Sequence, residues 1–480
     1  MFDTVIRNAR CASSTDVFEA DIGISDGRIA ELGSIGDRGA EIIDAAGRLV
    51  TPGGVDSHLH IDQRKGHGRI NADDFYSGTV SAACGGTTTV LPFSPQYQGE
   101  RIRWVAADYR ERARKAVIDY NFHLIVTDPS HPDFDDDLAE AATAGLRSLK
   151  IFTTYAAVGI ADRDIITVFA AARRHGFMVM AHCENTGIID HVTKVLLEKG
   201  CTQPRFHLAS RPTLAEAEAV FRICSFAELF NVPTMIVHVS TGRALDVIAL
   251  SRARGTTVFA ETCTQYLTLD QSLLAAPGRA GAKGIFSPPL RDAENRARLW
   301  QAVADGQVDV LSSDHSPYMF NEQEKFPHGF DASFDRIASG IPGVEARMPL
   351  LFTHGVKEGR LGLADFVSLT ATNAARIYGL HPRKGDLRVG FDADLCIWDE
   401  NYDGVIRNEL MNHNVDFTPY EGMRVTAWPA VTLSRGEIVS RYHTFCGKRG
   451  RGQFIPAAPT PRRCRETDSE MEIAAFGVTL

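Results

Sequence analysis

The stretch that decides the fold of this chain is Val-Asp-Ser-His-Leu-His-Ile-Asp, at residues 55–62. It predicts a β-strand, and because successive side chains of a strand point to opposite faces, His58 and His60 lie on the same face. Two imidazoles side by side suit a metal ion. Two structural histidines would produce the same pattern, so this stretch alone leaves both interpretations open.

Further apolar runs follow this strand, with stretches of helical periodicity between them. The predicted strands are 49–62, 87–93, 121–127, 148–155, 177–182, 234–240, 257–263 and 308–314. The predicted helices between them include 101–119, 160–175, 214–230, 243–254 and 294–306. Eight alternating units over roughly 320 residues predict an α/β fold, a (β/α)8 TIM barrel. An open dinucleotide-binding sheet is disfavoured because no Gly-x-Gly-x-x-Gly follows the first strand.

Both ends of the chain differ from this middle part, since they contain short strand-like segments between turn residues. We therefore expect a small β-sandwich domain formed from residues 1–52 together with 380–446, and a catalytic barrel over 53–379. Residues 447–480, rich in arginine and proline, form a C-terminal arm. The arm is interpreted either as a partly disordered tail or as a segment that docks on a neighbouring subunit.

Composition excludes several classes of protein. The 480 residues carry 60 acidic and 51 basic side chains, a net charge of −9, which argues against a nucleic-acid partner. No apolar run approaches the length of about 18 residues that a membrane span requires. The nine cysteines form no Cys-x-x-Cys pair, and the first residues do not read as a signal peptide, so we expect a cytoplasmic protein.

Ionisable residues occur at or near the C-terminal ends of four other predicted strands: Lys150, His182, His238 and Asp314. Each follows an apolar run, where a lone ionisable group would cost several kcal/mol unless it were paired or coordinated. Taken singly, such residues could be hydrogen-bonded core histidines or a helix N-cap aspartate. Together with the first two histidines they predict a metal centre, because the carboxyl ends of the strands form the catalytic face of a barrel.

Lys150 differs from the other candidates, since a protonated amine has no lone pair for a metal ion. Burial lowers the pKa of a lysine, and a neutral amine can take up CO2 to form a carbamate that bridges two metals. The alternative is a lysine paired with an acidic neighbour, Glu184 or Asp314. The residues by themselves leave both interpretations open.

The chain resembles the amidohydrolase superfamily, and within it the cyclic-amidase branch of dihydropyrimidinases and hydantoinases. The resemblance covers roughly residues 1–440. It rests on matching motifs at residues 52–62, 72–79, 85–89, 148–152, 181–185, 238–240, 261–267, 287–291, 313–317, 342–345 and 392–395.

The resemblance implies a site with two divalent metal ions. The implied ligands are His58, His60 and Asp314 for one ion, His182 and His238 for the second, and N-carboxylated Lys150 as a bridge. Zinc suits this histidine-rich set, and manganese or cobalt would also fit. Tyr155 matches a tyrosine that hydrogen-bonds the developing oxyanion, and Ser287 matches a serine that contacts the substrate. Ser339 stands where the family has an asparagine that contacts the substrate. If that contact is made by the main chain, Ser339 can still supply it, whereas a side-chain contact would be lost.

The activity implied by the resemblance is ring opening of a cyclic amide by a bridging hydroxide. The substrate would be a hydantoin, a dihydropyrimidine or a related cyclic imide or ureide, and the product an N-carbamoyl amino acid or its analogue. Asp314 would act first as a base and then as an acid. The alternatives are an allantoinase-like or dihydroorotase-like enzyme, an acyclic amide hydrolase, and a non-catalytic oligomeric paralogue. The family resemblance also implies a homotetramer.

One loop departs from the family pattern. After the first strand the chain carries Arg64, Lys65 and Arg69, where related enzymes tend to place apolar residues around the ring substituent. These side chains predict a pocket for a polar or anionic substituent, and a solvated loop is the alternative. Gly159 would leave extra room in that pocket. Glu184 and Arg243 are candidates for orienting the metal ligands, and a helix-surface position is the alternative for Arg243.

Overall fold

The computed structural model describes residues 1–64, 70–461 and 467–476. The N-terminal segment folds into short strands because apolar residues such as Ile6, Ile22 and Ile29 alternate with exposed polar ones, and all three are buried. These strands are β1 (Phe2–Ala12), β2 (Val17–Ser25), β3 (Arg28–Gly33), β4 (Gly39–Asp44) and β5 (Leu49–Pro52).

The middle of the chain forms a parallel barrel. Its strands are β6 (Gly54–Leu59), β7 (Thr87–Pro95), β8 (Asp119–Tyr120), β9 (His123–Ile125), β10 (Ser148–Phe152), β11 (Met178–His182), β12 (Thr234–Ile236), β13 (Val258–Cys263) and β14 (Val310–Ser312). They lie in the order β6-β7-β9-β10-β11-β12-β13-β14, and β8 adds a short pairing to β7. The barrel is nearly closed where Asp314 N donates to His58 O (2.9 Å) and His60 N donates to His315 O (2.7 Å). The predicted TIM barrel is confirmed.

The first predicted strand, 49–62, is in fact two strands that belong to different sheets. Residues 49–52 form β5 of the terminal sheet, and residues 54–59 form β6 of the barrel. Gly53 lies between them, where an added Cβ would be 2.3 Å from the side chain of Thr88. The chain therefore passes from one sheet to the other at a position where a side chain would crowd Thr88.

Helices cover the outside of the barrel. They are α1 (Phe75–Cys84), α2 (Ile102–Arg112), α3 (Phe134–Thr143), α4 (Asp162–His175), α5 (Thr186–Glu198), α6 (Phe206–Ser210), α7 (Thr213–Phe230), α8 (Gly242–Ala253), α9 (Thr264–Thr268), α10 (Ala293–Ala304), α11 (Arg347–Leu351), α12 (Leu363–Val367), α13 (Asn373–Ile377) and α14 (Asp468–Ala474). Gly176 and Asn231 end α4 and α7 in the left-handed conformation, with φ of 70° and 46°. Segments of π-helix, 352–357 and 368–372, follow α11 and α12 directly.

Strands from the C-terminal part complete the terminal sheet. They are β15 (Leu395–Asp399), β16 (Gly404–Val405), β17 (Arg424–Val425), β18 (Trp428–Ser434), β19 (Glu437–Arg441) and β20 (Thr444–Phe445). The order is β20-β19-β18-β15-β5-β1-β2-β3, with β4 on β1, whereas β16 and β17 form a separate hairpin. Strands from both chain ends therefore share one mostly antiparallel sheet, which meets the barrel at the β5–β6 junction.

The described part of the C-terminal arm lies across the floor of its own barrel. Tyr120 N donates to Gln453 O (2.9 Å), Ile455 N donates to Tyr120 O (2.8 Å) and Ala457 N donates to Gly145 O (2.9 Å). Ile455 is buried among side chains that fill the barrel interior. The described arm is thus an ordered part of this subunit, an arrangement that neither interpretation of the sequence included.

A buried lysine joins the barrel to the terminal sheet. The Lys384 ammonium lies 2.6 Å from Asp119 on β8, 2.9 Å from Asp392 and 2.7 Å from Asp394. These three carboxylates could hold a metal ion by their spacing alone, but the ammonium already occupies the point on which they converge. The lysine and the three aspartates form an internal ionic cluster with a structural role.

Replacing Lys384 with methionine is expected to lower the free energy of unfolding by about 3–5 kcal/mol, because the three buried carboxylates lose the ammonium that they share. Urea unfolding followed by circular dichroism measures this change. The control is Lys194→Met, which removes an exposed side chain 3.9 Å from Glu198 and should cost less than about 0.5 kcal/mol. Equal stability of the two variants would contradict the structural role of the cluster.

Candidate metal centre and active site

The structure brings the predicted ligand residues together at the carboxyl ends of the barrel strands. An open cavity of about 1420 Å³ lies at this end of the barrel, and five of the residues line it: His58, His60, His182, His238 and Asp314. Lys150 lies beside them, with its Nζ 5.2 Å from the centre of the Phe93 ring and 5.0 Å from that of Phe152.

The first half of the site consists of His58, His60 and Asp314. Nε2 of each histidine lies 3.3 Å from Oδ1 of Asp314. The opposite nitrogens face acceptors, since His58 Nδ1 is 2.6 Å from Glu261 Oε1 and His60 Nδ1 is 2.5 Å from Gln63 Oε1. Those acceptors place the ring protons on Nδ1 and the lone pairs on Nε2, facing the carboxylate. Three acceptors that converge in this way could hold a metal ion.

The second half of the site consists of His182 and His238. His182 Nδ1 lies 2.9 Å from His238 Nε2, and His182 Nε2 lies 2.8 Å from Glu184 Oε2. Burial lowers the pKa of both imidazoles, which favours their neutral forms. Nδ1 of His238 has no hydrogen-bond partner among the described residues. Two neutral imidazole nitrogens that converge at one point are typical ligands of a divalent transition metal.

Lys150 is fully buried, and its charge acts on the pKa of imidazoles in both halves of the site. Its Nζ has no hydrogen-bond partner in the described part of the chain, so the alternative pairing with Glu184 or Asp314 is not found. Burial lowers the pKa of this amine to about 8, although the nearby charges of Glu261 and Asp314 oppose the shift. An unpartnered buried amine is costly, and this one lies where the two groups of imidazoles meet. The donors at this face therefore fit a pair of divalent cations and a modified lysine.

Sequence reasoning missed Glu261, which touches both halves of the site. Its Oε1 accepts from His58 Nδ1 and also from the backbone N–H of His238 (3.2 Å). Burial raises the pKa of Glu261 to about 8, against the opposing charge of Lys150. The signal in the sequence is an acidic residue inside the apolar strand β13, but the partners of that residue come from β6 and the end of β12.

Of the two residues predicted to orient the ligands, the structure brings only Glu184 to the site. Glu184 accepts from His182 and from Arg211, whose guanidinium lies 2.5 Å from the same Oε2. Arg243 is exposed in the first turn of α8 and makes no described contact with the metal ligands. Arg211 was not predicted, because it follows the short helix α6 rather than a barrel strand.

Tyr155, Ser287 and Ser339 line the same cavity. Ser339 Oγ lies 3.1 Å from Ser287 Oγ. Burial raises the pKa of the Tyr155 hydroxyl, while the charge of Arg211 and hydrogen bonds with the two serines lower it. Tyr155 has a φ of 76°, a strained backbone conformation for a residue other than glycine, which is typical of functional sites. Three hydroxyl groups therefore lie in the cavity that the metal ligands also line.

The structure does not bring Arg64 to this cavity. Its guanidinium makes a bidentate ion pair with Glu100, with both N–O distances 2.9 Å, and lies over the Tyr97 ring. The described position thus gives no support to a contact between Arg64 and the substrate. Lys65 and Arg69 lie outside the described residues.

Gly159 lines the cavity, as the sequence suggested. A Cβ at this position would lie 2.7 Å from the carbonyl oxygens of Thr154 and Tyr155. The tight turn that carries Tyr155 therefore requires glycine here, independently of the space that glycine leaves for a substrate.

The barrel, with its histidine, aspartate and lysine donors at the carboxyl face, defines the class of metal-dependent hydrolases built on this fold. The chain belongs to the amidohydrolase family, whose model matches residues 49–439.

Named relatives resemble the chain over nearly its whole length. It is 41% identical to the D-hydantoinase of Geobacillus stearothermophilus over 95% of this chain and 96% of the relative. It is 37% identical to a D-phenylhydantoinase of Escherichia coli, over 95% of this chain and 98% of that relative. The crystal structure of the dihydropyrimidinase from Brevibacillus agri superposes with a TM-score of 0.92 at 36% identity, over 96% of this chain and 100% of that one. No helix in the described ranges is long and apolar enough to cross a membrane.

Proposed function

We propose that this protein hydrolyses a cyclic amide bond in a hydantoin, a dihydropyrimidine or a related cyclic imide or ureide. The expected product is an N-carbamoyl amino acid or its analogue. The observation that carries the proposal is the placement of the Tyr155 hydroxyl and the ligand set in one cavity at the carboxyl face of the barrel. The names of the relatives, D-hydantoinase and D-phenylhydantoinase, support the same reaction.

The proposed cofactors are two divalent metal ions, with zinc favoured by the histidine ligands and manganese or cobalt as alternatives. His58, His60 and Asp314 would hold one ion, and His182 and His238 the other. The neutral Lys150 amine would form a C–N bond with CO2 and lose a proton, which gives a carbamate with two oxygens for the two ions. When bound, such ions lower the pKa of water towards neutrality and polarise a carbonyl oxygen.

The remaining steps are assigned to side chains of this protein. Asp314 would accept the proton of the attacking water and return it to the departing ring nitrogen. Tyr155 would donate a hydrogen bond to the oxyanion that develops on the carbonyl oxygen. Ser287 and Ser339 would orient the ring, since both hydroxyls line the cavity beside Tyr155.

The reaction is tested by purifying the protein with zinc and bicarbonate and supplying a panel of amides. The panel contains both enantiomers of substituted hydantoins, dihydrouracil, allantoin, dihydroorotate and open-chain N-acyl amino acids. We expect ring opening of a hydantoin or dihydropyrimidine and about two zinc ions per chain. A protein that binds no zinc, or that hydrolyses only open-chain amides, would contradict the proposal.

Arg64→Ala is expected to leave the substrate preference unchanged, because Arg64 is paired with Glu100. The measurement is the ratio of kcat/KM for cyclic amides with acidic substituents to kcat/KM for those with aromatic substituents.

We further propose a cytoplasmic homotetramer whose partner is a small cyclic amide, with no nucleic-acid or membrane partner. The net charge of −9 supports the absence of a nucleic-acid partner. The eight cysteines in the described part of the chain are free thiols, as expected in a reducing compartment. The tetramer is supported by the family resemblance, and size-exclusion chromatography with light scattering tests it.

A further inference from the structure

Arg211 is a buried arginine in the cavity wall that the proposed reaction does not yet use. Its side chain is 10% exposed, and its Nη1 lies 2.5 Å from Oε2 of Glu184. Its Cζ lies 5.4 Å from the centre of the Tyr155 ring. The guanidinium therefore contacts both Glu184, which hydrogen-bonds the proposed metal ligand His182, and Tyr155, which is assigned to the oxyanion.

The backbone at Arg211 is fixed on both sides. Its N–H donates to Leu208 O (3.2 Å), and its carbonyl accepts from Arg291 Nη1 (2.6 Å). Pro212 follows directly and disfavours helical backbone at the residue before it, and Arg211 accordingly leaves the helix with φ of −124° and ψ of 67°. A fixed backbone limits the positions that the guanidinium can reach, which is a requirement for a side chain that positions others.

On one side, Arg211 acts on His182 through Glu184. The Thr153 hydroxyl accepts from Glu184 N (2.9 Å) and lies 2.9 Å from Glu184 O, which anchors the backbone. Oε2 of Glu184 lies within hydrogen-bond distance of both groups, 2.5 Å from Arg211 Nη1 and 2.8 Å from His182 Nε2. A guanidinium can only donate, so the Arg211 contact makes Oε2 of Glu184 an acceptor, and an accepting Oε2 keeps the His182 proton on Nε2 and the lone pair on Nδ1.

On the other side, Arg211 acts on Tyr155. The guanidinium packs against the ring, with Cζ 5.4 Å from the ring centre, which is within the range of a cation–π contact. A fixed cation on this ring restricts the positions of the hydroxyl that is assigned to the oxyanion. Nε of Arg211 is buried and has no hydrogen-bond partner among the described residues, so the guanidinium is not fully committed to the Glu184 pair.

We propose that Arg211 is a positioning residue that couples the metal ligand His182, through Glu184, to the oxyanion donor Tyr155. The kinetic part of this inference rests on the proposed ring-opening function, whereas the part that concerns His182 does not. A lysine at this position would keep the charge but would lack the planar fork that serves two neighbours at once.

The test compares Arg211→Met and Arg211→Lys with Arg252→Met in the full-length protein. Arg252 is a matched control because it also makes several hydrogen bonds, to Val258 O (2.8 Å) and Gln307 O (2.6 Å), but lies away from the cavity. The first measurement is the affinity of the metal-free protein for Zn²⁺ alone, by competition with a coloured chelator. We expect R211M to bind zinc about tenfold more weakly, R211K to recover most of that affinity, and R252M to match the wild type.

The second measurement is steady-state ring opening, combined with Tyr155→Phe in a double-mutant cycle. We expect R211M to lower kcat about 100-fold with KM changed by less than about twofold. Adding R211M to Y155F should lower kcat much less than adding R211M to the wild type, because part of the effect passes through Tyr155. R211K should lie between the wild type and R211M in kcat.

Three results would overturn the inference. One is wild-type zinc affinity in R211M, and another is a multiplicative loss of kcat when R211M and Y155F are combined. The third is a loss of zinc affinity and kcat in R252M equal to the loss in R211M. If R211M does not fold, R211K decides through kcat, since wild-type kcat in R211K would show that the fork is not required. If the wild-type protein opens no cyclic amide, the proposed function fails, while the zinc measurement still decides whether Arg211 acts on the metal ligand.

Discussion

Asp314→Asn is expected to lower kcat for ring opening about 10⁴-fold, the upper end of the range for a general acid–base residue. The loss should be this large because Asp314 combines two roles at one carboxylate. Its Oδ1 lies 3.3 Å from Nε2 of both His58 and His60, and the same group would move the proton between water and the ring nitrogen. Asparagine keeps the shape but has neither the charge nor a site for that proton.

The measurement is steady-state kinetics together with zinc content of the purified variant. We expect the zinc content to fall from about two ions towards one per chain, since His182 and His238 remain intact. The control is Asp128→Asn, an aspartate that also follows a barrel strand but accepts hydrogen bonds from Ser130 Oγ (2.7 Å) and Gly99 N (3.0 Å). D128N should keep wild-type kcat and zinc content. A D314N enzyme within tenfold of the wild type would contradict both assigned roles.

Lys150→Met is expected to abolish most of the activity without weakening the fold. A bound ion contributes several kcal/mol to transition-state stabilisation, so losing the bridge should lower kcat/KM by about 10³-fold or more. Stability should be equal or higher, because methionine replaces a fully buried amine that has no hydrogen-bond partner among the described residues. Zinc analysis and thermal unfolding of the metal-free protein measure the two effects.

Lys325→Met provides the opposite control. Lys325 is also fully buried, but its Nζ donates to Ile285 O (2.9 Å) and to Gly340 O (2.8 Å). We expect K325M to lose stability, because two buried carbonyls lose their donor, and to keep its zinc. If K150M binds two zinc ions and opens the ring at the wild-type rate, the proposed carbamate is wrong.

Much of the barrel could be predicted because the evidence for it is local. Most strands from β6 to β14 lie in short, largely apolar runs, and this feature depends only on neighbouring residues. Placing His58, His60, Lys150, His182 and His238 at one face required only the rule that parallel strands end together. The domain boundary was predicted between residues 52 and 53, but the break within the predicted strand 49–62 was missed, because the run continues from β5 into β6 although the two strands belong to different sheets.

The orientation of side chains outside the strands could not be predicted. Arg64 follows the first barrel strand and seemed close enough to the cavity to bind a substrate. In the structure its guanidinium turns to Glu100, which is 36 residues further along the chain. A charged side chain on a loop takes the best available partner, and only the fold decides which partners are within reach.

The sequence by itself determined the barrel, the family and the positions of the candidate ligands, because strand periodicity and motif spacing are properties of consecutive residues. The tertiary structure alone decided which nitrogen of each histidine faces inward. It also decided that Glu261 links both halves of the site, and that Arg211 lies between Glu184 and Tyr155. The physical reason is that tautomers, pKa shifts and buried ion pairs depend on contacts within a few ångströms, and the partners in this site come from different strands and loops.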